Sequence, residues 1–213
     1  MGRKVVTGRI VFRAASPPTV HRTGSPQGAA AISRSEGRRP VASAVMPALL
    51  TAVDYARLPS RARTALEHGR LRRLPQGPPD RRIRALRVAA LLGSAAEALD
   101  GFASCELVVR RSRDPDTARR PDCCVVLGDP PPDGVLDGAP TLVVEFPPTG
   151  EPAWWLAAGT EAVWLLDADG AVVHEASGRV SRVPARDPDA ELAVPGHPAL
   201  RLRLADLDRP SRR

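Results

Sequence analysis

Residues 142–146, LVVEF, followed at once by Pro147 and Pro148, constrain the fold more than any other stretch. Leu142, Val143 and Val144 are apolar and mostly β-branched, the pattern of a short buried strand. The prolines stop it, because they bring no N–H to a ladder. Glu145 therefore stands at the end of a buried run, where a carboxylate is costly unless it is paired or bound to a metal. A strand that simply surfaces would also explain it. A second run, DCCVVL over residues 122–127, opens with Asp122 behind Pro121. Asp122 lies 23 residues before Glu145, a separation that suits adjacent strands whose ends bring both carboxylates together. Such a pair can hold a hard divalent cation and activate a water. An aspartate after proline at a loop–strand junction is equally ordinary turn chemistry, so spacing leaves both readings open.

The pattern around these runs predicts one α+β domain, with helices covering a mostly antiparallel or mixed sheet. A short helix is expected over residues 47–57, and a second from Ser60, as N-cap, to about Glu67. LRRL (71–74) reads as a short strand and PQGPPD as a turn. A long helix then reaches about Leu99, with Val88, Leu91, Leu92, Ala95 and Leu99 at helical spacing. Arg81, Arg82, Arg84 and Arg87 crowd its first half, either facing phosphates or forming a solvated face. Strands are expected over 105–110, 122–127 and 141–146, with RSRDPDTARRP and GDPPPDGVLDGAP as loops between them. Pro152 suits the first turn of a helix over 152–159. Residues 163–167 and 171–176 face each other across Asp169-Gly170, a hairpin signal, and RVSRV pairs next. Leu200, Leu202 and Leu204 alternate with Arg201 and Arg203 as an edge strand with one wet face. Trp154 and Trp155 are neighbours, so only one is expected to point fully into the core.

Charge is unevenly distributed. The net charge is +7, and residues 1–45 account for all of it: Lys4 and seven arginines against Glu36. That Ser-, Pro-, Gly- and Arg-rich segment buries too little apolar surface to order itself. It reads as a disordered leader, or as the product of a start placed upstream of the true one at Met46. The domain is expected over residues 46–208, with 209–213 as a tail. Residues 57–120 hold 15 Arg against seven acids, whereas residues 121–213 hold eight Arg against 15 acids. Cys105, Cys123 and Cys124 form no CxxC pair, and adjacent Cys123 and Cys124 on a strand point to opposite faces. They read as reduced thiols of a cytoplasmic protein. No segment has the roughly 18 consecutive apolar residues of a membrane helix.

RRPDCCVVLGD, TLVVEFPPT and WWLAAGTEAVWLLDADG together resemble the Uma-two family of restriction endonucleases, in the PD-(D/E)XK nuclease superfamily. Pro121-Asp122 matches the family's Pro-Asp entering a strand. Val143-Val144-Glu145 matches its Val-Val-Glu strand, Gly159 its helix end, and residues 163–167 its Tyr-Trp-Leu-x-Asp strand. The resemblance implies a restriction-endonuclease-like fold, a Mg²⁺ (or Mn²⁺) site on Asp122 and Glu145, DNA as substrate, and leaves a homodimer open. The departures are specific. The family's lysine stands eight residues before the helix-ending Gly, where this chain has Glu151, and the only lysine is Lys4. The acid and the Asp of an upstream E-L-x-D-G element would fall at Ala65 and His68. An acid at 151 cannot supply the positive charge that stabilises a phosphoryl transition state. It could instead join the catalytic set as a third metal ligand. Arg84, Arg119 or Arg120 could supply charge, though a guanidinium is a poor proton acceptor. Two functions follow: a Mg²⁺-dependent DNA endonuclease with a degenerate active site, or an inactive homologue that binds nucleic acid or protein.

Overall fold

Helix formation starts where Thr51 closes a capping box. Its hydroxyl accepts from the Asp54 N–H, and the Asp54 carboxylate accepts from the Thr51 N–H. The helix so started, α1 (Ala52–Arg57), is shorter than expected and buries Ala52 and Tyr55. Thr51→Ala is expected to cost about 1 kcal/mol of stability, read as a lowered urea midpoint; an unchanged midpoint would show that packing alone holds α1. The computed structural model describes residues 48–59, 63–148, 151–187 and 189–208. All of them belong to the unit Met46–Arg213, while the expected leader falls in the other unit, Met1–Val45, outside the described residues. The proposed N-cap Ser60 and the tail over 209–213 also lie outside them.

The expected helix ending at Glu67 is a strand, β1 (Thr64–Glu67), in a hairpin with β2 (Arg70–Arg73). His68 and Gly69 both have positive φ, +50° and +73°, which reverses the chain with a twist that matches paired strands. The helix-forming residues of TALE are overruled by pairing on both sides, with β2 and with β5 (Thr117–Arg119). Next comes α2 (Arg81–Glu97), then β3 (Gly101–Ser104), β4 (Val108–Ser112), β5, β6 (Cys123–Leu127), β7 (Val135–Asp137) and β8 (Leu142–Glu145). After α3 (Pro152–Ala158) follow β9 (Ala162–Leu166), β10 (Gly170–Glu175), β11 (Val180–Pro184), β12 (Glu191–Val194), β13 (His197–Arg203) and α4 (Ala205–Asp208). Strands β5 and β7 lie in stretches expected to be loops. Three residues carry too little alternation to be recognised; pairing makes them strands, β5 with β1 and β4, and β7 with β4.

One sheet runs β2-β1-β5-β4-β7, a second β11-β10-β9-β8-β6-β3, and β12-β13 form a two-stranded ribbon. Most pairs are antiparallel, and β4–β7 and β8–β9 are parallel, so the architecture is the expected mixed α+β. The central strands of the six-stranded sheet, β6, β8 and β9, are buried on both faces. On one, Cys123, Val125, Leu142 and Val144 pack with Val88 and Leu92 of α2 and with Leu192, Leu200 and Leu202 of the ribbon. On the other, Cys124, Val126 and Val143 meet Trp154 and Trp155 of α3. Both tryptophans are buried, edge to face at 4.6 Å. Arg119 covers Trp154 at 4.7 Å from the ring centre, which is how two adjacent indoles can both leave water. Gly159 ends α3 in the left-handed conformation, φ +106°. Asp167 accepts from the N–H groups of Asp169 and Gly170 at the β9–β10 turn, so turn formation accounts for it. No helix among the described residues is long and apolar enough to cross a membrane.

Candidate functional site

The register of β6 against β8 places the carboxylates. Cys123 is opposite Val144, so in an antiparallel pair the residue before Cys123 comes level with the residue after Val144. Those residues are Asp122 and Glu145. Both are buried, at 8% and 4% exposure, and both bind one guanidinium. Arg63 reaches in from just ahead of β1: its Nη2 donates to Asp122 Oδ2 at 3.2 Å and to Glu145 Oε2. Its Nη1 donates to the Phe146 carbonyl at 3.4 Å. Arg81, in the first turn of α2, approaches the other oxygen of Asp122 at 3.2 Å. The Phe146 N–H donates to Asp122 Oδ2 at 2.8 Å, tying the two strand ends together. A pocket opens onto this cluster, lined by Arg63, Arg81, Arg82, Cys105, Arg120 and Asp122 among others.

Burial is the main force on Glu145. Loss of water, then repulsion from Asp122, pushes its carboxyl up to about 8, against the pull of Arg63 and Arg81. A proton on Glu145 at neutral pH relieves the crowding of two carboxylates on one nitrogen.

Glu151 is not brought to this pair. It stands just ahead of α3, and its carboxylate is bound by Arg119 at 2.8 Å and Arg72 at 3.3 Å. Burial raises it, but these arginines outweigh that and hold it below the usual carboxylate range. The arginines expected near the site bind other partners, although Arg120 also lines the pocket. Arg119 serves Glu151 and Glu67. Arg120 donates to the carbonyls of Tyr55, Ala56 and Leu58. Arg84 lies over the Phe146 ring and donates to the Asp167 carbonyl. The two that do converge, Arg63 and Arg81, carry no distinguishing mark in the sequence. Arg81 is visible there only as one of four arginines on α2. Arg63 is hidden because its segment reads as helix; in extended chain it shares a face with Ala65, two residues on.

Asp122 Oδ2, Glu145 Oε2 and the Phe146 carbonyl are hard oxygens of the kind Mg²⁺ or Mn²⁺ prefers. One guanidinium spans all three. Among the described residues no group of three or more His, Cys, Asp or Glu side chains is placed to hold a metal ion. The donor chemistry suits a divalent cation, but with Arg63 seated on it the arrangement does not fit one.

Comparison with known proteins bears on the family and the fold. The family model Uma2, described as "Putative restriction endonuclease", matches residues 52–205. A solved structure from Anabaena variabilis, described as a putative nuclease belonging to DUF820, superposes with a TM-score of 0.53 at 19% identity. The match covers 74% of this chain and 97% of that one, and at that identity it speaks for the fold. Comparison with curated proteins gave no match.

Proposed function

This chain belongs to the Uma2 family, and from that premise we propose that it is a restriction-endonuclease-like domain that binds nucleic acid, DNA foremost, while Arg63 keeps its carboxylate pair from metal-dependent cleavage. The observation that carries this reading is the guanidinium on Asp122, Glu145 and the Phe146 carbonyl. A guanidinium offsets the negative charge of the pair as a metal would. It neither lowers the pKa of a bound water nor accepts a proton. Glu151 stands where a nuclease of this family has lysine, and its own ion pairs with Arg119 and Arg72 leave it no part in that chemistry. The active site is in this sense degenerate.

The binding surface is not the arginine-rich half of α2. Those arginines are tied into the protein: Arg81 to Asp122, Arg82 to Glu106, Arg87 to the Leu207 carbonyl. Strand β2 is the edge of its sheet and all four of its residues are exposed; Arg72 is held by Glu67 and Glu151, and Arg70 and Arg73 flank it on the same edge. Positive charge on an extended edge can follow a phosphate backbone without reading sequence.

The test uses the full chain with plasmid and linear duplex DNA, in Mg²⁺, in Mn²⁺ and in chelator. Retardation in a gel with intact DNA under all three conditions is expected. Arg70→Ala with Arg73→Ala should weaken retention and lower the salt slope by about 1 for each arginine removed. A second reading rests on the register that levels Asp122 with Glu145: metal-dependent cleavage once Arg63 withdraws. Cleavage that needs Mg²⁺ or Mn²⁺ and disappears in Asp122→Ala, Glu145→Ala would establish that reading and remove the first.

A further inference from the structure

We propose that Cys105 and Cys123 form a thiol–disulfide exchange site on the wall of the carboxylate pocket, with a small disulfide as its reaction partner. The β3–β6 ladder places them. Its register runs from Gly101 opposite Leu127 to Ser104 opposite Cys124, so the next residues, Cys105 and Cys123, face each other where the ladder ends. The Gly128 N–H donates to the Asp100 carbonyl at 2.8 Å, marking a hydrogen-bonded pair at the ladder's other end. Counting from there, pairs alternate, and Cys105–Cys123 falls at a non-hydrogen-bonded position. Opposed Cα atoms at such positions are about 4.5 Å apart, inside the range of about 4.4–6.8 Å that a disulfide spans. Both side chains lie on the α2 face of the sheet, where Cys105 packs against the cluster that contains Cys123.

The third cysteine does not compete. Cys124 is buried on the opposite face, among Val126, Val143 and the tryptophans. Access is one-sided. Cys123 is fully buried, while Cys105 is half-buried and lines the pocket beside Arg63, Arg81 and Asp122. Cys105 is therefore the attacking sulfur and Cys123 the resolving one. The Cys105 thiolate attacks one sulfur of RSSR, displacing RS⁻ and leaving a mixed disulfide. The Cys123 sulfur then attacks the Cys105 sulfur and the second RS⁻ leaves, taking up the Cys123 proton as the first took up that of Cys105. The two cysteines are oxidised by two electrons and RSSR is reduced to two RSH. The link fastens the end of β3 to the residue next to Asp122, and it does so whether or not the domain binds nucleic acid.

The experiment treats the full chain with oxidised glutathione, then measures free thiols and intact mass. Three free thiols should fall to one, with a mass loss of two hydrogen atoms, a tryptic peptide joining Cys105 to the segment that carries Cys123 and Cys124, and fragmentation that places the bond on Cys123. Cys124→Ala should still lose two thiols, and Cys105→Ser, at a half-buried position that tolerates the change, should form no internal link. Three persistent thiols would overturn the proposal. So would glutathione retained on Cys105 with Cys123 unreacted, or a link to Cys124.

Discussion

Arg63→Ala is expected to lower stability at neutral pH by about 3–5 kcal/mol, the usual result of removing one partner from a buried ion pair, and to make the chain bind Mn²⁺. Arg63 is 7% exposed and faces two carboxylates and a carbonyl. Without it Asp122 keeps Arg81 and the Phe146 N–H, but Glu145 and the carbonyl lose their charged donor. Three hard oxygens are then left around the space of a guanidinium, which is the setting a divalent cation needs. Metal binding that occurs only in the folded state restores stability, by about 2.7 kcal/mol at a hundredfold excess over Kd. Urea unfolding of wild type and variant across a Mn²⁺ titration reads both effects. The variant midpoint should fall and then recover with metal, while the wild type should not respond. An equal response in both would mean that Arg63 does not exclude the cation.

Glu145→Gln is expected to flatten the stability of the chain between about pH 5 and 8. Glu145 titrates at about 8 when folded, against 4.5 as its ordinary value, and burial is the first cause. Between those values the folded chain holds a proton that the unfolded chain has released, so stability falls as pH rises through the window and levels above it. Each unit of separation is worth about 1.4 kcal/mol, so the total is on the order of several kcal/mol. Glutamine keeps the shape and a hydrogen-bonding carbonyl but cannot titrate. Chemical denaturation at pH 5, 6, 7 and 8 should show a fall in wild type and a much smaller one in Glu145→Gln. Parallel curves for the two proteins would place the proton elsewhere.

The strands that carry the acids are legible because their apolar runs are long enough to show. DCCVVL and LVVEF are β-branched and flanked by prolines, and each keeps its strand in the structure. The opposite faces of Cys123 and Cys124 follow from the two-residue period of a strand. The Asp169-Gly170 turn follows from residues that favour it, and the structure pairs β9 with β10 there. The segment over 60–67 misleads because TALE has helical composition and its strand exists only through partners on both sides. No window of local sequence contains those partners.

The candidate site divides the same way. From the sequence, Asp122 and Glu145 are expected at the ends of adjacent strands, and the family resemblance implies a lysine where Glu151 stands. The strand ends are matters of residue type and spacing along the chain, which short-range sterics and burial are enough to read. Which cation meets the carboxylates is a matter of three-dimensional approach. Arg63 lies 59 and 82 residues from its two partners, and nothing local distinguishes it from Arg84, Arg119 or Arg120. Only the hairpin of β1 and β2 beside the ends of β6 and β8 decides that its guanidinium enters the pair. The reason is desolvation: two buried carboxylates need a cation or a proton, and the tertiary structure determines which arginine lies within reach.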